Sequence, residues 1–343
     1  MDTITQGLLG AAVAQVCCAK TLGGRAWRVG LVAGMFADLD TLFCFSTNSL
    51  KFLESYHHFT HSLLFIPIGA LLVTLLFSID KSYRKLFGCV FVAALVGYAS
   101  HGLLDIMTSY GTVLFWPVYT ERISLDNISI VDPVFTVILL VGVFWSAQRK
   151  MLPPALIALL LCVMYLHFGA VQHARAQLVQ KFIAVNRGHV IDRGRVMPTL
   201  GNLVLWRSVY EYNGKIYSDA IRTPVYESSV FRSGEDVPKT TLYSLQLKHN
   251  LTKEQIHDFE RFAWFADKYI GQVTFLYNVF GDMRYSRSVE LMEPLWGIQI
   301  DFSKDPKPTR WHYFWSDSKS TRVKRMINDL EGRGDWISIR PKA

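Results

Sequence analysis

The sequence predicts a polytopic α-helical membrane domain of about six helices, followed by a soluble α+β domain, with the division at residues 1–172 and 173–343. Three observations lead there. Apolar runs separated by short charged breaks fill the chain up to Met151. Charge is concentrated beyond that point: Lys and Arg number 10 through residue 151 and 26 after it, Asp and Glu 9 and 19. Half of all residues are apolar and only 19% are charged, against a usual quarter.

Taken in order, helices are expected over residues 4–19, 27–46, 62–79, 86–107, 132–148 and 153–171. Spanning a membrane takes about 20 mostly apolar residues. The third to sixth runs meet this, and the second is adequate despite two aspartates. The first is short and rich in Gly7, Gly10, Ala11, Ala12 and Ala14. It suits either close contact with a neighbouring helix or a place in the interface. Asp132-Pro133 opens the fifth helix, Asp as N-cap and Pro at the first helical position.

From Leu178 the pattern reads as strands and turns. Asn213-Gly214 between Leu203–Tyr212 and Lys215–Arg222 predicts a hairpin with a type I′ turn. Thr252-x-x-Gln255 predicts a capped helix through about Tyr269. Residues 272–280, 295–302 and 310–316 read as strands and 319–331 as a last helix, with Gly332 beyond its end. The dense aromatics Phe262, Trp264, Phe265, Tyr269, Phe275, Tyr277 and Phe280 read as a small core, with a substrate platform or lid as the rival.

Lys and Arg in the breaks set the orientation. The breaks 20–28, 80–85 and 149–150 carry eight positive residues, and 47–61 and 108–131 carry two. Placing the first set in the cytoplasm puts both termini, and the whole tail, outside. The formal net charge of +8 is modest and spread along the tail. It suits a solvated surface, or contact with anionic lipid, and predicts no nucleic-acid partner. Cys17, Cys18, Cys44, Cys89 and Cys162 lack zinc spacing and read as small packing residues. The N-terminus has no basic n-region, so no cleavable signal peptide is expected.

The polar residues of the apolar half fall in three groups: Asp38 and Asp40; His57, His58 and His61; His101 and Asp105. On the orientation above, all seven lie at the outer face. His57 or His58 shares a helix face with His61, and His101 shares one with Asp105. Asp38 and Asp40 point about 160° apart on a regular helix, so the helix must end or bend near Leu39, or one aspartate must orient a histidine instead. Imidazole and carboxylate without thiolate suit zinc first, with manganese or iron as alternatives. Such an ion activates water, and a spare aspartate, Asp40 or Asp105, accepts the proton. His-Glu-x-x-His and Gly-x-Ser-x-Gly are both missing.

At Met-Asp-Thr-Ile-Thr-Gln-Gly-Leu-Leu-Gly-Ala-Ala, Ala-Asp-Leu-Asp, His-His-Phe-Thr-His-Ser and His-Gly-Leu-Leu-Asp, in that order, the chain resembles the membrane-bound metal-dependent hydrolases of the YbcI/YdjM-like, LexA-regulated type. The resemblance covers residues 1–150. It implies a multi-pass protein of the bacterial inner membrane with a metal centre built by Asp38, Asp40, His58, His61, His101 and Asp105. Two departures stand out: Gln6 replaces a histidine of many members, and His57-His58 replace an Arg-Gly pair. His58 and His61 are the favoured ligands, with His57 the alternate.

The resulting expectation is a metal-dependent hydrolase acting on an ester or phosphoester at the outer membrane face, with membrane lipid or a lipid-linked molecule as substrate. The contrasting expectation is a metal-binding transporter or sensor whose soluble domain binds a partner. A transporter places its polar groups near the midplane, and here they gather at one end.

Overall fold

The structure is a computed structural model and describes residues 1–40, 50, 53, 59–149, 152–314 and 319–339. The described residues form two compact units. The first is drawn chiefly from the first 171 residues with Leu200–Asn202, the second chiefly from Gln172–Thr199 and the residues after 202.

In the first unit, α1 (Thr3–Leu22) and α2 (Ala26–Phe36) form a helical hairpin, turned at Gly23–Arg25. Asp2 caps α1, its carboxylate accepting from the Thr5 amide at 3.0 Å. Gly10 lies against Gly30, and Gly34 against Gln6. A Cβ on Gly10 would meet the Gly30 carbonyl oxygen at 2.3 Å, and one on Gly34 the Gln6 carbonyl oxygen at 2.4 Å. The two backbones therefore touch with no side chain between them, which only glycine permits. Then follow α3 (Ile66–Phe77), the single turn α4 (Lys81–Arg84), α5 (Phe87–Met107) and α6 (Pro133–Arg149). Small residues dominate the packing of α1, α2, α3 and α5: Ala14, Ala26, Ala33, Ala70, Ala93 and Ala94 are all fully buried. Asp132 caps α6 as expected, accepting from the Val134 and Phe135 amides at 3.1 Å.

Helices stand at all six expected places, with residues 41–46 of the second outside the described residues, but six crossings do not follow. Among the described residues, three helical stretches are long and apolar enough to cross a membrane: Thr3–Leu39, Phe87–Met107 and Pro153–Asn186. The first of these is the α1–α2 hairpin. The 12 residues of α3 rise about 18 Å and the 17 of α6 about 25 Å, against a hydrocarbon core of about 30 Å.

The helix α7 (Pro153–Asn186) corrects a second expectation. It does not end near residue 171; it continues 15 residues further, with its part from Gln172 in the second unit. There Ala176, Val179, Ile183 and Ala184 are buried. Gln172 donates to the Thr223 carbonyl at 2.7 Å and Gln180 to the Arg195 carbonyl and Ser208 Oγ at 3.0 Å. These contacts fix the helix on a five-stranded antiparallel sheet. Its strands are β1 (Arg193–Pro198), β2 (Leu205–Tyr212), β3 (Lys215–Arg222), β4 (Val230–Pro238) and β9 (Ile337–Ser338), in the order β1-β2-β3-β4-β9.

The β2–β3 turn has Asn213 and Gly214 at φ 48° and 71°, the two positive values of a type I′ turn. A second antiparallel sheet has the order β5 (Ile270–Gln272), β6 (Val279–Asp282), β7 (Trp296–Gln299), β8 (Arg310–Tyr313). The single strand expected over residues 272–280 is in fact the end of β5, a turn, and the start of β6. The helices of this unit are α8 (Leu242–Gln246), α9 (Lys253–Phe265) and α10 (Lys319–Leu330). The Thr252–Gln255 capping box at α9 is present in both directions. Of the dense aromatics, Phe262, Phe265, Tyr269 and Phe280 are buried core, while Phe275 and Tyr277 are exposed.

Candidate metal centre

Three segments carry the polar groups to one place. After α2 the chain tightens into a 3₁₀ turn, Ala37–Leu39. A second 3₁₀ turn, Phe59–His61, presents His61, and the last two turns of α5 present His101 and Asp105. Tyr98 holds the second turn in place by donating its hydroxyl to the Thr60 carbonyl at 2.8 Å.

Asp38, His61 and His101 each bring a ligand atom to within 4.8 Å of the other two. Asp105 extends the group. Asp38 Oδ1 stands 3.6 Å from His61 Nε2 and 3.5 Å from His101 Nε2. Asp105 Oδ2 stands 3.7 Å and 3.3 Å from the same two nitrogens. The imidazoles meet edge to face at 4.7 Å. The side chains of His61, His101 and Asp105 are at most 2% exposed and that of Asp38 is 11% exposed.

The hydrogen bonds around the histidines decide what these atoms offer. His101 Nδ1 lies 2.6 Å from the Gly34 carbonyl oxygen. A carbonyl only accepts, so Nδ1 carries a hydrogen, and in the neutral ring Nε2 presents its lone pair. Thr60 donates its one hydroxyl hydrogen to Asp40 Oδ2 at 2.8 Å and lies 3.0 Å from His61 Nδ1. Its oxygen therefore accepts from Nδ1–H, and in the neutral ring His61 Nε2 also presents a lone pair. Asp105 Oδ1 accepts from the Met1 amino group at 2.7 Å and from Gln6 Nε2 at 2.8 Å, which turns Oδ2 toward the histidines.

Each of the two carboxylate oxygens thus stands 3.3–3.7 Å from both Nε2 atoms. These separations are longer than the roughly 2.7–3.2 Å of hydrogen bonds to nitrogen. Around a tetrahedral ion with bonds of about 2.0–2.1 Å, neighbouring donors stand about 3.3–3.4 Å apart. The residues fit a small divalent cation. The histidines held through Nδ1 match the pattern in which outer partners orient metal-binding imidazoles.

Of the residues singled out in the sequence, Asp38, His61, His101 and Asp105 converge. Asp40 stands on the other side of His61, with Oδ2 3.6 Å from Nδ1, where it orients the ring through Thr60. His57 and His58 lie outside the described residues. Sequence reasoning overlooked Thr60, Gly34 and the Met1 amino group. Thr60 carried a signal, a hydroxyl next to a chosen histidine; Gly34 acts through its backbone and carried none.

A family model described as YdjM inner membrane protein matches residues 1–176. No curated protein matches the chain, and no solved structure does.

Proposed function

We propose a function on one premise: the chain belongs to the YdjM inner membrane protein family. The reading is a metal-dependent hydrolase, multi-pass, whose site faces the outer side of the inner membrane and takes an ester or phosphoester, lipid-linked or lipid-like. The observation that carries it is the meeting of Asp38, His61 and His101, whose ligand atoms lie within 4.8 Å of one another, with Asp105 Oδ2 beside both histidines.

His61, His101, Asp38 and Asp105 hold the ion in this reading. When bound, it supplies a Lewis acid that brings the pKa of water close to neutrality. The chain's own residues do the rest. Gly34 and Thr60 keep the imidazoles turned inward. Gln6 and the Met1 amino group fix one oxygen of Asp105 and leave the other at the centre. Asp40 holds the Thr60 hydroxyl and is the carboxylate nearest to His61 Nδ1, placed to take up positive charge that develops on the ring. The surrounding small-residue helix packing excludes bulk water.

The outward orientation rests on the Lys and Arg bias of the breaks, and it places the second unit in the periplasm. Lipid as substrate rests on the site's position among apolar helices.

One observation favours a second reading. The His61 and His101 side chains are at most 1% exposed, and Asp105 Oδ2 stands beside the Asp38, His61 and His101 group as a fourth protein donor. Closed four-ligand sites are structural, whereas catalytic ones keep a position open. A metal sensor with a partner-binding second unit fits that closure. The test begins with elemental analysis of detergent-purified protein, wild type against His61→Ala and Asp105→Ala. Both variants are expected to lose the metal; unchanged content in both ends the metal reading. A panel of phosphodiester, phospholipid and carboxylic esters then separates the two functions. Turnover by wild type that disappears in both variants supports the hydrolase. Metal loss without turnover on any ester moves the assignment to the sensor.

A further inference from the structure

Beyond the end of α5 the chain makes a tight turn of unusual composition. Residues 113–119 read Val-Leu-Phe-Trp-Pro-Val-Tyr, with no charge, and Glu121 and Arg122 follow closely. The amides of Trp116, Val118 and Tyr119 close the turn on the carbonyls of Val113 and Phe115 at 3.0–3.2 Å. Val113 and Leu114 are buried, while Phe115 and Tyr119 are 49% and Val118 is 95% exposed. A turn bathed in water usually draws on Gly, Asn, Asp and Ser. This one presents a valine and aromatic rings.

The turn is built onto the end of the helices that carries the metal centre. The Leu114 carbonyl accepts from the Leu63 amide at 2.9 Å, two residues after His61. The Leu114 side chain closes on Gly102, next to His101; a Cβ on Gly102 would meet Leu114 Cδ1 at 3.1 Å. The Phe59 ring, at the start of the 3₁₀ turn that presents His61, stands 6.2 Å from Trp116 and 5.4 Å from Phe65. Phe59, Leu63 and Leu64 are themselves exposed. The apolar surface thus continues from the turn, across Phe59 and Leu63, onto α3, where Ile68, Leu71, Leu72 and Leu75 are also exposed.

That continuity identifies the cover. The chain belongs to a family of inner membrane proteins, and the exposed positions of α3 are all apolar. Contiguous apolar patches mark membrane or partner surfaces, and Trp and Tyr collect where acyl chains give way to headgroups. The 12 residues of α3 rise only about 18 Å, so the turn adds apolar surface that the short helix lacks. We propose that residues 113–119, with Phe59, Leu63 and Leu64, insert into the interfacial layer of the bilayer. Acyl chains then lie against Phe115 and Val118, and headgroups against Glu121 and Arg122. The partner is the lipid itself. The insertion holds the end of α5 and the turn at residues 59–61, and with them His101 and His61, at the depth where headgroups meet acyl chains. It stands whether or not the centre turns over an ester.

The test uses the full chain in vesicles of phosphatidylethanolamine and phosphatidylglycerol, with an environment-sensitive fluorophore on Val118→Cys. Val118 is almost fully exposed, so the substitution disturbs no packing. Leu72→Cys, exposed in the middle of α3, and Glu260→Cys, exposed on α9, are the references. Wild type, whose exposed Cys17 also reacts, gives the background. Lipid carrying a nitroxide near its headgroup is expected to quench the fluorophore at 118 several-fold more than the one at 260. It is also expected to quench at 118 more than lipid labelled near the chain end, with the reverse order at 72. Iodide is expected to quench at 260 and to spare 118. Iodide quenching at 118 equal to that at 260 puts the turn in water and overturns the proposal. Protection at 118 from both iodide and labelled lipid overturns it too, because protein then covers the turn. Quenching at 118 that is strongest from the chain-end label overturns the interfacial depth. None of these readouts involves metal or ester turnover, so their failure is distinct from failure of the hydrolase reading.

Discussion

Two buried polar clusters, one in each unit, obey opposite rules. In the second unit, the buried Arg207 guanidinium donates to the carbonyls of Met283 at 2.9 Å, Arg284 at 3.0 Å and Ser288 at 3.3 Å, and to that of Val289. Beside it, Arg284 donates to the Asp282 carboxylate at 2.8 and 3.0 Å. Every contact pairs a donor with an acceptor at bonding distance. Burial pushes Arg207 down to about 10, which still leaves it charged at neutral pH. In the first unit, carboxylate oxygens face imidazole Nε2 atoms across 3.3–3.7 Å, and with neutral rings all of these atoms are acceptors. The first kind of cluster is complete with protein atoms alone. The second is stable only with positive charge at its centre. Burial and charge count do not tell a structural network from a binding site; the direction of each hydrogen bond does.

The contrast can be broken, and the largest effect comes first. His101→Ala is expected to abolish stoichiometric metal binding, read by elemental analysis. Arg207→Ala is expected to leave metal per folded molecule unchanged and to destabilise the second unit by about 3–5 kcal/mol, since buried carbonyls lose their shared donor. Chemical denaturation followed by Trp fluorescence measures it. If Arg207→Ala empties the metal site, the two clusters are not separate.

Thr60→Val sharpens the comparison, because it removes a hydroxyl and no ligand. Metal affinity is expected to fall about 10–100-fold, the usual effect of losing an outer partner, or about 1.4–2.8 kcal/mol. Competition with a chromophoric chelator reads it, and unchanged affinity means that Thr60 does not orient His61.

The smallest effect concerns pH. Burial pushes the Asp267 carboxyl up, but Arg284, Arg193 and Arg195 together bring it below the ordinary range. A carboxyl lowered in the folded state contributes stability above its unfolded value of about 3.9, and that contribution is lost as pH falls through the folded value. Wild type is therefore expected to be more stable than Asp267→Asn at pH 6, and the gap is expected to close below about pH 4. Asn accepts the φ of 49° at this position, so the substitution tests charge and not backbone strain. A gap that persists into acid refutes the assignment.

The sequence made the metal centre legible to the extent that it lies in side chains at short spacing. Asp38-Leu39-Asp40 announced either a bend or a division of roles because two carboxylates two apart cannot share a helix face, and the two aspartates stand on different sides of His61. Which aspartate faces the histidines was not legible, since it depends on the Thr60 hydroxyl across the site. The far end of α7 was missed for a related reason. Hydropathy falls at Gln172, yet Ala174, Ala176, Leu178, Gln180 and Lys181 remain good helix formers, and the sheet buries a face that the drop in hydropathy concealed. Strand β4 escaped because Val230–Pro238 contains Gly, Glu and Asp and has no clean alternation. The hairpin at Asn213-Gly214 was legible because its turn needs two positive φ values that few residue pairs adopt.

Gly34 supplies two things at once: the absence of a side chain that lets α1 approach α2, and the main-chain oxygen that turns His101. A peptide oxygen cannot be substituted away. One imidazole is therefore hard-wired by the shape of the hairpin, and the other, set by a threonine, is open to change. If the centre holds an ion as proposed, residue 60 is a place where a side-chain change retunes the grip without removing a ligand.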